Sequence, residues 1–315
     1  MSTIAGLSVG LNTGVVQEGL DAVFYENFDK QYGPQMATVR DNSIFNQYDV
    51  IGRNSVTFES YAGIGLWTER AERQDLAEVT PVTGNPSTFI PVEYAAVLPI
   101  SRWFMEDDME GVVAHSMRDF AATARATQES KGMGLFRNGF GSTLTEDGSA
   151  WFSNSHTTLG GFAVDNLLTE ILTEQSLYTA MVMLAEQKNQ GGVIMGKQAA
   201  TLLVPPALFK TAMEIVGSPL RSGTADNDMN VIGEKYPIRV VQSNYLGAAA
   251  GGSDTAWFLL AETHQAFRFI RESVATTLVS WETQSNNDFL YKGYFRETYG
   301  VKTYEGAIGS TGLTA

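Results

Sequence analysis

Apolar residues recur along this 315-residue chain with two periods, and the change of period divides it into segments. The clearest helical pattern runs from Glu106, where Met109, Val113, Met117, Phe120 and Ala124 keep the spacing of one face. A helix is predicted over 106–137, about 45 Å long at ~1.5 Å per residue. Glu106, Asp107, Asp108 and Glu110 load its first turns, and Arg125, Lys131 and Arg137 come late, an order that complements the helix dipole. Ala121, Ala122, Ala124 and Ala126 leave room for close packing, and Gly132, Gly134 and Gly139 are read as a fraying end. A second helix is predicted over 176–188, with Ser176 as N-cap, a Leu177/Met181/Leu184 face and Gly191-Gly192 beyond its stop.

Elsewhere the period is nearer two. "SVTFESYAGIGLW" (55–67) and "FIPVEYAAVLPIS" (89–101) are rich in aromatic and β-branched residues and flank a polar stretch ending in Thr83-Gly84-Asn85-Pro86, a strong turn signal. This predicts a long β-hairpin over 54–101, which in isolation would be marginal and so needs a partner surface. The stretch 201–217 reads as a short strand, two prolines opening a helix with a Phe209/Met213/Val216 face, and a closing glycine. Strands are predicted at 238–242, 256–262 and 266–272, a mobile stretch at 217–233, and a long terminal strand or pair of strands at 289–306. Residues 1–50 show little periodicity beyond Leu20, Val23, Phe24 and Phe28. They read as an irregular arm with one helix over 17–31, closed by Gly33-Pro34.

Composition narrows the function. There is no cysteine, which removes disulfides and thiol chemistry, and His115, His156 and His264 are scattered without metal-motif partners. Thirty-five acidic against 21 basic residues give a net charge of −14, with no basic run to grip nucleic acid. No window is apolar enough for a membrane span, and no secretory signal is visible in "MSTIAGLSVG". Phosphate loop, dinucleotide fingerprint and nucleophile elbow are all missing. "GSAWFSNSHTTLGG" (148–161) offers Ser153 or Ser155 as a nucleophile and His156 as its base. In an extended segment, however, Ser155 and His156 point to opposite faces, and catalytic serine and histidine usually come from distant segments. An ordered turn bonded to local backbone is the expected role, with a soluble hydrolase as the alternative.

One ordered set of segments points further: "VLPISRWFMEDDMEGVV" (97–113), "DGSAWFSNSHTTLGG" (147–161), "NLL" (166–168), "SLYTAMVMLAEQKNQGG" (176–192), "LLVPPAL" (202–208) and "WFLLAE" (257–262). In order and spacing, over roughly 50–305, the chain resembles the major capsid proteins of tailed double-stranded DNA bacteriophages, in particular the Mu-like major head subunit family. The resemblance implies an α+β, HK97-like fold. Its parts would be an N-terminal arm (1–50), an extended loop (54–101), a peripheral domain (102–194) with the spine helix 106–137, an axial domain (195–284), and return strands (285–315). It further implies hexamers and pentamers closing into an icosahedral shell around packaged DNA. A separate scaffolding protein, a portal and a decoration protein would be partners, and the shell would form in the host bacterial cytoplasm. No enzyme activity, cofactor, metal or membrane is expected. Glu69, Arg70, Glu72, Arg73 and Asp75 on the loop are candidates for contact with another copy. An encapsulin-like compartment is the runner-up with the same fold. Some shells of this fold crosslink through a lysine on the loop; no lysine occurs here between Lys30 and Lys131, so no such bond is expected.

Overall fold

The computed structural model describes residues 13–30, 36, 38–61, 66–67, 69–76, 78, 83–107, 111–218, 230–280, 286 and 288–314. The chain opens with α1 (Thr13–Phe28), β1 (Asn46–Asp49), β2 (Val56–Phe58), β3 (Ser87–Phe89) and β4 (Val92–Ser101). Then come α2 (Arg102–Asp107), α3 (Val112–Arg137), β5 (His156–Thr157), β6 (Ala163–Val164), β7 (Leu167–Glu170) and α4 (Glu174–Glu186). β8 (Ala199–Val204), α5 (Phe209–Gly217), α6 (Val231–Lys235), β9 (Arg239–Gln242), β10 (Trp257–Ala261), β11 (Ala266–Val279), β12 (Asp288–Val301) and β13 (Ala307–Thr314) follow.

β7, β13, β10, β8 and β9 form a five-stranded mixed sheet in that order. β10, "WFLLA", is buried at every position, as a central strand covered on both faces must be. Trp257 and Leu259 join a core completed by Leu177 and Leu184 of α4 and Ala212 and Val216 of α5. Phe258 and Leu260 join the opposite core, with Phe45, Phe136, Trp151 and Phe152. The second sheet has the order β1, β11, β12, β4. β11 and β12 run antiparallel for 14 residues each, and their register slips between Ile270 and Glu272 and again between Glu272 and Ala275. β1 lies parallel to β11 at one end of this ribbon. β4 borders β12 from Glu297 to Asp288. α1 and the first half of α3 cover the ribbon through Leu20, Phe24, Met117, Ala121, Phe289 and Tyr291. Asp21 of α1 fixes this packing, accepting bonds from Thr276 Oγ1 (2.7 Å) and Tyr291 OH (2.5 Å).

The buried face of α3 changes chemistry along its length. Val113, Met117 and Ala121 give way to Arg125, Gln128 and Glu129, all buried. Glu297 of β12 accepts from Arg268 Nε (3.0 Å) and Nη2 (2.7 Å), from Gln128 Nε2 (3.3 Å) and from Tyr299 OH (2.7 Å). Glu129 accepts from the Val39 backbone N–H at 2.9 Å, tying the segment before β1 to the helix. Burial pushes the Glu129 carboxyl up to about 7, against the opposing pull of that N–H and of Arg125, Arg268 and Arg40.

Several elements differ from the sequence reading. The helix predicted over 106–137 is two helices, α2 and α3, with Gly111 between them in the left-handed region at φ 71°. Gly132 and Gly134 do not fray. They lie inside α3, and a Cβ on Gly132 would sit 2.2 Å from Val39 Cγ1, so the glycine lets the arm cross the helix. The helix predicted over 176–188 begins two residues earlier: Thr173 is its N-cap, and Ser176 completes a capping box from N3. The arm helix is Thr13–Phe28, not 17–31, and Gly33-Pro34 lies outside the described residues. So does most of 217–233, whose described part includes α6. Among the described residues the two runs of the predicted hairpin pair at β2–β3 and the Tyr61–Thr83 bridge, and β4 turns away to pair with β12. Strand 266–272 extends to Val279, and the terminal stretch is β12 followed by β13. β13 lies between β7 and β10, whereas β11 belongs to the other sheet.

Candidate functional site

The 147–166 segment is a hydrogen-bonded knot between the C-terminal end of α3 and the five-stranded sheet. His156 is fully buried. Its Nδ1–H donates to Asp147 Oδ2 at 2.8 Å and its Nε2–H to the Trp151 carbonyl at 3.1 Å. The ring lies 4.8 Å from that of Tyr304. Both nitrogens face acceptors, so the ring is clamped between them. Burial pushes Asp147 upward, but bonds from His156, Thr145 and the Ser149 N–H hold it well below the usual carboxylate range. The hydroxyls of Ser153 and Ser155 face each other at 3.1 Å, and neither reaches the His156 ring. With no free ring nitrogen and no route to solvent, His156 is not a base, and the segment is not a hydrolase site. Sequence reasoning placed the serines and histidine in an ordered turn but missed Asp147 and Asn166. Asn166 accepts from the Ser153 N–H (2.9 Å) and donates to the carbonyls of Trp151 (2.8 Å) and Ala307 (3.3 Å), joining the knot to β13. Neither belongs to a periodic pattern, so only the asparagine of "NLL" gave any signal. Among the described residues no group of His, Cys, Asp and Glu is arranged to hold a metal ion.

The loop between β2 and β3 carries the candidate contact residues. Glu69, Arg70, Glu72, Arg73 and Asp75 are all exposed, and none forms an ion pair within the described residues. A tight turn holds them. The Gln74 N–H donates to the Ala71 carbonyl (3.2 Å), Gln74 Oε1 accepts from the Ala71 N–H (3.1 Å), and Arg70 Nε bonds the Gln74 carbonyl. Arg73 sits in the left-handed region at φ 69°. The sequence reading overlooked their apolar neighbours: Leu66, Trp67 and Leu76 are 80%, 90% and 79% exposed. A tryptophan left in water is the side chain most often found as an anchor in a protein interface.

A second open apolar surface follows the groove between α3 and β4. One cavity of about 480 Å³ is lined by Phe24, Tyr94, Ala96, Phe120, Ala124 and Gly293. Another of about 390 Å³ is lined by Leu98, Ile100, Trp103, Phe104 and Val113. β4 is a sheet edge, and Val92 and Val97 along it and Trp103 and Phe104 of the following α2 are exposed. Loop and groove both leave large apolar side chains in contact with solvent.

A family model described as phage capsid protein matches residues 86–309. Among solved structures, one from Microbacterium phage Oxtober96 superposes with a TM-score of 0.55 at 12% identity, covering 90% of this chain and 94% of that one. The capsid of the cyanophage P-SCSP1u gives 0.53 at 12% identity over 89% and 90%. The capsid of an empty GTA particle gives 0.52 at 14% identity over 96% and 99%. At such identities the structural likeness speaks for the fold. No curated protein sequence matches the chain.

Proposed function

This chain belongs to the phage capsid protein family, and from that premise we infer that it is the major shell subunit of a phage head, a structural protein whose copies assemble with one another. The match over 86–309 carries this reading. The fully bonded His156 and the shared HK97-like fold agree with it. An encapsulin-like compartment is not favoured.

At finer scale we propose hexamers and pentamers closing into an icosahedral shell around double-stranded DNA. A separate scaffolding protein, a portal and a decoration protein would be further partners, with assembly in the host cytoplasm. The arm is assigned to 1–50, the extended loop to 54–101, the peripheral domain with its spine to 102–194, the axial domain to 195–284 and the return strands to 285–315. Assignment to the Mu-like branch rests on the ordered segments of the sequence. Glu69, Arg70, Glu72, Arg73 and Asp75 are proposed to face another copy. One chain with an unburied apolar loop and an open apolar groove is suited to head-to-tail contact, the kind that builds rings. Exposed ion pairs contribute only ~0–1 kcal/mol each, so the five charges would set register while the apolar residues supply affinity.

Negative-stain electron microscopy with sedimentation, on the chain alone and with its genomic neighbours, tests the reading. Rings or closed shells are expected, and Arg70→Glu with Arg73→Glu should shift sedimentation towards small species. A monomer that never forms rings under either condition would overturn the assignment.

A further inference from the structure

Where the loop leaves the body, its stem rests on one carboxyl group. The Gly84 N–H donates to the Ser60 carbonyl at 2.9 Å, closing the stem, and Ser60 is buried. Leu159 packs against Gly84, where an added Cβ would lie 2.6 Å from Leu159 Cδ1 and 3.0 Å from Ser60 Cβ. Leu159 is held in turn by Gln190, whose Oε1 accepts from the Leu159 N–H at 2.9 Å. The other end of the Gln190 amide donates to Glu146 Oε1 at 2.6 Å. The Glu146 carbonyl also accepts from Asn85 Nδ2 of the stem, at 3.4 Å. Glu146 thus holds the stem directly through its backbone and indirectly through Gln190 and Leu159.

The surroundings of this carboxyl suit its neutral form. Oε2 is buried without a hydrogen-bond partner among the described residues, and Asp147 and Glu305 add like charge nearby. Asp147 is bound to His156 and Glu305 to Lys197, so both partners are already engaged and neither reaches Glu146. Of the other charged and titratable groups, Tyr304 donates to the Lys188 carbonyl, and the Lys188 ammonium lies over the Phe162 ring. Lys302 remains, its ammonium 5.9 Å from the ring of Phe58 in β2, at the start of the stem. Ser60, Gly84 and Asn85 of the stem do not titrate.

We propose that Glu146 is a proton-operated clasp: protonated, it seats the stem of the 59–86 loop on the body, and ionised, it loosens that seat. A buried carboxylate oxygen without a donor costs more than a neutral carboxyl in the same place. On losing its proton Glu146 is repelled by Asp147 and Glu305 and drawn to Lys302, which pulls against both Gln190 and the Lys302–Phe58 contact. Burial, reinforced by Glu305 and Asp147 and opposed by Lys302, raises the group to about 7, so the change falls near neutral pH. The clasp is built within one chain and is independent of the shell reading. That reading only makes the loop angle matter for assembly.

Hydrogen exchange of the full chain, corrected for intrinsic rates, tests the clasp at about pH 5.5 and about pH 8.5. Protection of the stem amides should fall on the order of tenfold between the two. Glu146→Gln should stay protected at both, and Gln190→Ala at neither. A wild-type stem equally protected at both pH values, or a Glu146→Gln chain that keeps the wild-type loss, would overturn the proposal. Should Glu146→Gln fail to fold, carboxyl carbon resonances of glutamate-labelled wild-type chain decide. A glutamate assigned to 146 that titrates near 7 supports the clasp, and one that titrates in the ordinary range removes it.

Discussion

Four donors converge on the Glu297 carboxylate, from Arg268 twice, Gln128 and Tyr299. A buried ion pair is a weak source of stability while intact, because desolvation offsets attraction, but removing one partner strands the other charge. Glu297→Ala should therefore destabilise the subunit by about 3–5 kcal/mol in denaturant unfolding, and pairing it with Arg268→Met should recover most of that loss. Equal loss in the single and double variants would show that packing, not the stranded arginine, dominates. None of this network was legible in the sequence. Arg125 read only as a late basic residue that complements the helix dipole, Gln128 and Glu129 gave no signal, and only the fold, by bringing β12 over that side, buries them. The Ser153–Ser155–His156 turn was legible because its bonds are local. The Asp147–His156 pair spans nine residues of irregular chain and carries no periodic signal.

At the level of elements, long periodic stretches were read well and their interruptions were not. α4, β8, α5, β9 and β10 lie within a few residues of their predicted places, since each buries one continuous apolar face or run. The break at Gly111 escaped notice because the apolar spacing continues across it. Gly132 and Gly134 looked alike and differ entirely in surroundings. A methyl group at 132 meets Val39 and Tyr299, whereas at 134 it meets only the tip of Arg137 at 3.4 Å. Gly132→Ala should thus destabilise by about 1–3 kcal/mol through overpacking. Gly134→Ala should stabilise by about 0.5–1 kcal/mol by lowering backbone entropy in the unfolded chain. Thermal unfolding of the two variants side by side checks the pair, and equal shifts of one sign would contradict the arm crossing at 132.

For the whole molecule, buried carboxyls set how stability depends on pH. Glu129 and Glu146 both titrate at about 7 in the fold against an ordinary 4.5, raised chiefly by burial. The folded chain keeps protons that the unfolded chain has released, so this stabilisation is full below the ordinary value and is lost as pH rises through about 7. His264 acts oppositely. Burial lowers it to about 4 from 6.5, so its contribution is present above 6.5 and lost as pH falls through about 4. Between about pH 6 and about pH 8 the glutamates prevail, and the unfolding temperature should fall. Glu129→Gln should roughly halve the fall; a flat profile in the wild type would contradict the assignment. Fold class and function were legible from the order of the segments. The loop's apolar anchors and the β4 groove were not, because residues that look like core in one dimension stay uncovered in a single copy. The β11–β12 ribbon has a mechanical consequence. Fourteen residues at ~3.3 Å each make an arm of about 45 Å, and the register slips at 270–275 interrupt its ladder where added twist costs least. From the slips to Val279 is about 23 Å at ~3.3 Å per residue, so a rotation of about 10° there carries the far tip about 4 Å, and the ribbon works as a lever that turns a small adjustment beside the core into a displacement close to the width of a neighbouring strand.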